Sequence, residues 1–282
     1  MQNDRDEVSV WTWCAKWLSR SFSQYGLFIM LMFLSLAIWE VIVRMGWVPS
    51  FIIPAPTAII GSLVEHRHLL LTIHLPATFM EVAVGFGLSI VTGITLATGM
   101  HMNRSIEKAL YPFIVISQTI PLIALSPVFI LWFGYTLWSK VAVVFLIAFF
   151  PIVVSTYDGL RQGDPEQREL LLTMGASKWD IFRKLQVPLA LPSFFSGLKM
   201  SVVYCVVGAT IGEWLGGSKG LGYFSRRMSS NMNTDAMFAA ILLLSLLGIV
   251  LFVLIAWLEK RFSIRRHRHG GKRKVGYYLD RN

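Results

Sequence analysis

Long apolar runs separated by short charged segments are the main pattern along this chain. A helix that crosses the hydrocarbon core of a bilayer takes about 20 apolar residues. Three uncharged runs have about this length and stand clear of charged positions: residues 21–39, 82–100 and 236–258. Each of these runs predicts one membrane-spanning helix.

The middle of the chain predicts two further spans. Residues 109–139 carry no charged side chain, but the stretch is too long for one straight helix and three prolines interrupt it. The apolar run 141–157 follows almost directly. We therefore expect two helices in this region, separated near residues 133–138.

The least obvious span covers about residues 193–214, because Lys199 and Glu213 interrupt it. The distribution of basic residues supports this sixth span. With six spans, 19 of the 26 Lys and Arg residues fall on one side of the membrane, six fall on the other side, and Lys199 stays inside a span. Because basic residues collect in cytoplasmic loops, we predict that both ends of the chain are cytoplasmic.

The composition fits an all-α membrane protein with several spans. Of the 282 residues, 55% are hydrophobic and 15% are charged, whereas about 25% of the residues in soluble domains are charged. An intrinsically disordered chain, a collagen-like rod and an ordinary cytosolic enzyme are thereby excluded. Cys14 and Cys205 belong to no CxxC pattern, so the cysteines predict neither a disulfide scaffold nor a metal site.

Charged segments flank the six predicted spans. The basic segment 261–274 follows the last span, where such a segment ordinarily contacts anionic lipid headgroups, and the lack of interleaved aromatic residues disfavours nucleic-acid binding. The start of the chain has no cleavage site typical of a signal peptide, so we expect the first span to stay as an anchor. The predicted parts are a cytoplasmic N-terminal segment, residues 1–20, a six-span domain, residues 21–258, and a basic cytoplasmic tail, residues 259–282.

The longest predicted cytoplasmic loop between spans, residues 158–192, has the sequence of two short amphipathic helices. Asp164 can cap the first helix, and Pro165 suits its first position. Gly175 can end it, because glycine readily adopts the left-handed conformation that stops a helix.

A second helix is predicted to begin immediately after the first. Ser177 stands three residues before an aspartate, which is a capping pattern. The helix presents Trp179 and Phe182 on one side, and we expect Pro188 and Pro192 to end it before the next span. The two aromatic side chains either rest at the lipid interface or are bound by a cytoplasmic partner.

Six residues of this loop stand at the spacing of a known motif: Glu169, Gly175, Ala176, Ser177, Phe182 and Pro192. The loop resembles the EAA loop of binding-protein-dependent ABC transporter permeases, which reads Glu-Ala-Ala, three residues, Gly, an apolar helix and a Leu-Pro ending. Leu170 and Leu171 stand where that motif prefers alanine. Similarity along nearly the whole chain indicates the branch that carries aliphatic sulfonates, taurine, nitrate and pyrimidine precursors of thiamine.

The resemblance implies the fold of a type I importer permease, with six transmembrane helices and cytoplasmic termini. It also implies that the loop is a coupling helix inserted into a groove of a separate ATPase subunit. The residues implied in this coupling are Glu169, Gly175, Ala176, Ser177, Trp179 and Phe182. Because the chain lacks the G-x-x-x-x-G-K-[ST] pattern that cradles phosphates, ATP is expected on the partner and no cofactor is expected in this chain.

The same resemblance implies an assembly in a bacterial-type plasma membrane. We expect a homodimer of permeases, two ATP-binding subunits and an extracellular solute-binding protein, with this chain as a non-catalytic transport subunit. The segment 208–223 is similar to permeases assigned to thiamine-precursor pyrimidines of the hydroxymethylpyrimidine type. Aliphatic sulfonate, taurine or nitrate is the alternative substrate.

Polar residues inside the spans are candidates for the substrate pathway: Gln118, Thr210 and Glu213. Gln118 precedes Pro121, where a broken helix can form a binding site, while the neighbouring hydroxyl groups are expected to bind freed backbone carbonyls. Glu213 either reaches external water, accepts hydrogen bonds from a substrate such as an aminopyrimidine, or belongs to an outer gate. Lys199 is expected to extend its ammonium group toward the cytoplasmic interface.

Two functions of other classes remain as alternatives. An intramembrane enzyme could use Glu213 with a histidine as acid and base, but local spacing brings neither His74 nor His101 close to it. An ion-driven carrier would need internal repeats or more charged spans, and would have no use for a coupling loop. Dependence on ATP distinguishes an importer from both.

Overall fold

The computed structural model describes residues 10–163 and 165–267, with side chains in residues 26–163 and 166–262. Within these ranges the chain is helical and contains no strand. The α-helices are α1 (Val10–Arg44), α2 (Pro56–Glu65), α3 (Arg67–Leu69), α4 (Leu75–Met102), α5 (Arg104–Ser117), α6 (Leu122–Phe133), α7 (Leu137–Arg161), α8 (Pro165–Thr173), α9 (Lys178–Ile181), α10 (Val187–Gly216), α11 (Leu221–Ser230) and α12 (Thr234–His267). Two π-helical segments, π1 (Leu70–His74) and π2 (Phe182–Gln186), join α3 to α4 and α9 to α10.

Five helical units are long and apolar enough to cross a membrane, and they coincide with five of the predicted spans. These units are Gly26–Arg44, Arg67–Met102, Leu137–Arg161, Lys178–Gly216 and Thr234–Phe262. The sixth candidate is α5 together with α6, which pass the same test as a pair but are bent by 102°. Six apolar segments are therefore confirmed in the described residues, and the third of them is sharply broken.

The bend between α5 and α6 lies at one of the prolines that interrupt the long uncharged stretch. Pro121 has an extended backbone and directly precedes α6. On the α5 side, the Ser117 hydroxyl donates to the carbonyl of Ile114 at 2.8 Å, and the Thr119 hydroxyl donates to the carbonyl of Ile116 at 2.8 Å. Both hydroxyl groups bind backbone carbonyls near the end of α5, as expected, but neither acceptor is the carbonyl of Ser117, which is the one that Pro121 frees.

Helix α7 lies at the centre of the bundle and packs mainly against α4 and α10. Its inward side chains are fully buried: Val143, Val144, Ala148, Ile152 and Val153. Glycines on the neighbouring helices allow close approach. A Cβ atom at Gly93 would lie 2.8 Å from Ile152 Cγ2, and one at Gly208 would lie 3.1 Å from the Cα of Val144. Small residues at such contacts let membrane helices pack tightly.

The expectation that Pro188 and Pro192 end the second loop helix is wrong. Helix α9 continues through π2 into α10, so the chain is helical from Lys178 to Gly216. Pro188 lies in the first turn of α10, directly after the wider π turn, and Pro192 lies inside α10. We attribute the continuity to π2, because a π turn shifts the backbone hydrogen-bond pattern just where proline supplies no N–H.

Two short helices on the outer side, α2 and α11, were not predicted from the sequence. Each has ten residues, which is too short for an apolar run that spans a membrane. Helix α2 is tied to α1 by Glu40, whose carboxylate accepts from the backbone N–H of Thr57 at 3.1 Å and from its hydroxyl at 2.7 Å. Helix α11 buries Leu221 and Phe224 in a cluster shared with α12. These short helices cover the outer ends of the spans.

Candidate functional site

The first half of the predicted coupling loop ends as the sequence predicts. Helix α8 stops at a left-handed residue, Gly175, whose φ is +83°. The N–H of Gly175 donates to the carbonyl of Leu172 at 3.0 Å, and the N–H of Ala176 donates to the carbonyl of Leu171 at 3.0 Å. This pair of bonds is the usual glycine stop of a helix. The predicted cap, Asp164, lies outside the described residues.

The second half of the loop begins with the predicted capping pattern. The Ser177 hydroxyl accepts a hydrogen bond from the backbone N–H of Asp180 at 3.1 Å and donates to the Asp180 carboxylate at 2.6 Å. Lys184 forms an ion pair with the same carboxylate at 2.8 Å. The start of α9 is therefore fixed by local contacts.

Trp179 and Phe182 form a stacked aromatic pair at the surface of the loop. Their ring centroids are 5.4 Å apart with an angle of 27° between the planes. Trp179 is 58% exposed, whereas the adjacent Ile181 is 3% exposed and anchors the helix. The ring of Phe182 also lies 6.1 Å from that of His101, at the cytoplasmic end of α4. The pair thus forms a partly exposed apolar surface that a partner protein could bind.

Glu169 lies on another side of the same loop. It lines a cavity of about 430 Å³ together with Tyr157 and Arg161 of α7. A second cavity of about 380 Å³ is lined by Trp179 and Phe182. Arg168, Leu172, His101 and Gln186 border both cavities. Among the six predicted coupling residues, Glu169 therefore lines a different cavity from Trp179 and Phe182.

At the outer end of α10, the carboxylate of Glu213 is buried and bound by the chain itself. Its side chain is 1% exposed. Thr78 on α4 donates to Glu213 Oε1 at 2.6 Å, and the backbone N–H groups of Gly222 and Tyr223 donate to Oε2 at 2.5 and 3.3 Å. The alternative in which this carboxylate reaches external water is wrong.

The glycine-rich segment after α10 fits closely around Glu213. Gly220 has a φ of +118°, and a Cβ atom there would collide with the Glu213 carboxylate. A Cβ atom at Gly222 would lie 2.8 Å from Glu213 Oε2. The backbone N–H of Gly220 also donates to His74 Nδ1 at 3.1 Å. The fold thus brings His74 into the surroundings of Glu213, which no local spacing indicated.

Two further charged residues belong to this buried cluster and were missed by the sequence reasoning. Glu81 on α4 and Lys140 on α7 form an ion pair at 2.9 Å, with side-chain exposures of 1% and 9%. Each flanks a predicted span, where a charge ordinarily meets water. In the sequence, their pairing was indicated only by their opposite charges at the outer ends of two predicted spans. We define the outer polar cluster as His74, Thr78, Glu81, Lys140 and Glu213.

The other predicted pathway residues have different surroundings. Gln118 is exposed at the break after α5. The Thr210 hydroxyl donates to the carbonyl of Val206 at 2.8 Å, and the residue lines an apolar groove of about 420 Å³ between α10 and α12. Lys199, which was expected to extend toward the cytoplasmic interface, binds Glu259 at the cytoplasmic end of the predicted last span, at 2.8 Å. The roles of Gln118, Thr210 and Glu213 in a pathway stay predictions.

Comparison with known proteins gives a consistent result. The family described as binding-protein-dependent transport system inner membrane component matches residues 89–264. The formylaminopyrimidine transport permease protein ThiX of Halalkalibacterium halodurans is 49% identical, over 82% of this chain and 91% of that protein. The riboflavin transport system permease protein RibX of Chloroflexus aurantiacus is 35% identical, over 83% and 88%. A solved structure of the MetNI methionine ABC transporter shares the fold, with a TM-score of 0.61 at 19% identity, over 70% of this chain and 98% of that one.

Proposed function

Because the chain belongs to the family of binding-protein-dependent transport system inner membrane components, we propose that it carries a pyrimidine precursor of thiamine. Members of this family are permease subunits of ABC importers and multi-pass proteins of the bacterial plasma membrane. The observation that carries the proposed substrate is the 49% identity to a formylaminopyrimidine permease over 82% of the chain. The chain is a transport subunit and not an enzyme.

The charges inside the spans support a neutral heterocycle over an anion. Formylaminopyrimidine and riboflavin, named for the two relatives above, both contain a planar nitrogen heterocycle. Lys140, at the outer end of α7, and Lys199, inside α10, are already paired with Glu81 and Glu259. An anion in a low-dielectric path would need a cation that is not already paired. Aliphatic sulfonate, taurine and nitrate therefore have less support as substrates.

The proposed assembly consists of two copies of this chain, two ATP-binding subunits and an extracellular solute-binding protein. ATP is bound and hydrolysed by the ATP-binding subunits. The exposed stack of Trp179 on Phe182 supports docking of such a subunit on the coupling loop. In this arrangement the partner's nucleotide cycle moves the loop, while the external protein delivers the solute.

Continuous helix offers a route from the coupling loop to the outer surface. The unit from Lys178 to Gly216 has 39 residues, which corresponds to about 58 Å at 1.5 Å per residue. Its cytoplasmic end carries Trp179, and its outer end carries Glu213 inside the outer polar cluster. We propose that α10 transmits movement of the loop to that cluster, so that nucleotide-driven closure and opening of the outer end are linked.

Uptake in whole cells tests the proposed substrate. A strain without this chain should lose accumulation of labelled hydroxymethylpyrimidine or formylaminopyrimidine, and the plasmid-borne chain should restore it. Excess unlabelled pyrimidine should compete, whereas an alkanesulfonate or nitrate should not. Restored uptake of sulfonate or nitrate alone would contradict the proposal. Uptake that survives depletion of ATP but follows an ion gradient would contradict the importer mechanism and favour a carrier.

A further inference from the structure

The outer polar cluster contains more buried negative charge than positive charge. Glu81 and Glu213 are each 1% exposed, and Lys140 is 7% exposed. Packing contacts place the two carboxyl groups close to each other: Thr78, one turn before Glu81 on α4, donates to Glu213, and Lys140, which binds Glu81, lies against Gly212, the residue before Glu213. If both carboxyl groups were ionised, one ammonium would face two carboxylates in the interior of a membrane protein. An uncompensated charge in such a place is strongly unfavourable.

The hydrogen-bond donors around the two carboxyl groups are unequally distributed. Glu213 receives the Thr78 hydroxyl and the backbone N–H groups of Gly222 and Tyr223. Glu81 receives only the Lys140 ammonium, at Oε1. Its second oxygen, Oε2, is buried and has no donor among the described residues. Buried acceptors without a donor are rare in native structures, so Glu81 is expected to gain a donor at Oε2.

The other titratable groups near the cluster do not supply the missing positive charge. His74, the last residue of π1, accepts the N–H of Gly220 at Nδ1, which is the bonding of a neutral imidazole. On α11, Arg227 is exposed and Tyr223 is half-buried, and Lys219 in the preceding segment is exposed. Helix α6 has no titratable side chain. A proton is the one addition that supplies both the donor and the charge.

We propose that Glu81 and Glu213 form a proton-binding site in which one proton is shared between the two carboxyl groups beside Lys140. The proton comes from water and forms an O–H···O bond from one carboxyl group to the other, which leaves one carboxylate opposite one ammonium. The cluster is then neutral, and both oxygens of Glu81 have partners. The site joins α4, α7 and α10 at their outer ends. This inference does not depend on the identity of the transported solute.

Infrared spectroscopy of the purified full-length chain in lipid nanodiscs tests the shared proton directly. At neutral pH the wild-type spectrum should contain the carbonyl stretch of a buried carboxylic acid, which shifts in D₂O. The band should disappear in Glu81→Gln and also in Glu213→Gln, because Lys140 balances the single carboxylate that remains. Glu65→Gln is the matched control, since Glu65 is an exposed carboxylate on the outer side, and it should leave the band unchanged.

A third variant keeps the test decisive if either glutamine variant fails to fold. Lys140→Met removes the ammonium, so both carboxyl groups should become protonated and the band should grow about two-fold. A wild-type protein without an acid band would overturn the proposal. Persistence of the band in either Glu81→Gln or Glu213→Gln would overturn it too, because a proton held by one carboxyl group alone is not shared.

Discussion

Thr78 on α4 and Glu213 on α10 are joined by a hydrogen bond of 2.6 Å, although 135 residues separate them in the sequence. The same carboxylate accepts two backbone N–H groups from the start of α11. One side chain therefore holds three elements together on the outer side. Because α10 is continuous with α9 of the predicted coupling loop, we expect a displacement of that loop along the helix to reach this contact.

Glu213→Gln keeps the size of this side chain but replaces one of its two acceptor oxygens with an amide NH₂ group, which donates and does not accept. At least one of the three donors then loses its acceptor, and a buried donor without an acceptor costs about 1–3 kcal/mol. We expect lower thermal stability of the purified chain and a loss of solute uptake at unchanged expression. Glu65→Gln, on the exposed surface, should change neither. Wild-type uptake by Glu213→Gln would remove this residue from the mechanism.

Gly220→Ala places a methyl group against the Glu213 carboxylate at a positive φ. Collision and backbone strain together should destabilise the chain by about 2 kcal/mol or more. Thermal unfolding in detergent measures the effect. The control is Gly61→Ala, because Gly61 lies inside α2 with open space around it. That substitution should be neutral or stabilising by up to about 1 kcal/mol. Equal behaviour of the two variants would contradict the packing described around Glu213.

Gly175→Ala should uncouple ATP hydrolysis from uptake. The φ of +83° at this position costs alanine about 1–2 kcal/mol, although no atom lies within 4 Å of its Cβ. We therefore expect a misplaced coupling loop with intact spans, measured as uptake per ATP hydrolysed in proteoliposomes that hold the complete transporter. Gly175→Asn should retain most coupling, because asparagine tolerates this conformation. Full coupling in the alanine variant would show that the geometry of the helix stop is unimportant.

Gln118→Leu tests the predicted pathway residue at the broken third span. Gln118 is exposed at the end of α5, so its replacement should leave the stability of the chain unchanged. If its amide contacts the solute, uptake should fall about ten-fold, the effect expected from one lost hydrogen bond of about 1.4 kcal/mol. Thr119→Val is the control, since the Thr119 hydroxyl is engaged with its own helix. Undiminished uptake by Gln118→Leu would exclude Gln118 from the pathway.

The spans and the helix ends of the coupling loop could be predicted from the sequence because their causes are local. Apolar runs mark the spans, Gly175 provides the left-handed stop, and Ser177 caps the next helix within three residues. The continuation of α9 into α10 could not be predicted, because proline alone normally interrupts a helix and the intervening π turn left no recognisable signal.

The outer polar cluster could be predicted only in part. Glu213 was conspicuous as a charge at the end of a weak span, but its partners come from α4, α7 and the segment before α11. Glu81 and Lys140 each looked like ordinary charges that flank a span. Their burial and pairing depend on how the helices pack, which no single-sequence pattern specifies.

The docking of a separate ATPase on the coupling loop is most directly tested by co-purification. A tagged chain should be extracted from its native membrane in mild detergent, with the bound proteins quantified and their ATP hydrolysis measured. We expect an ATP-hydrolysing subunit in a one-to-one ratio, lost from Trp179→Ala but retained by Trp257→Ala, which removes a similarly exposed tryptophan of α12. A wild-type chain that is isolated without an ATPase, or an ATPase retained equally by Trp179→Ala, would contradict the account.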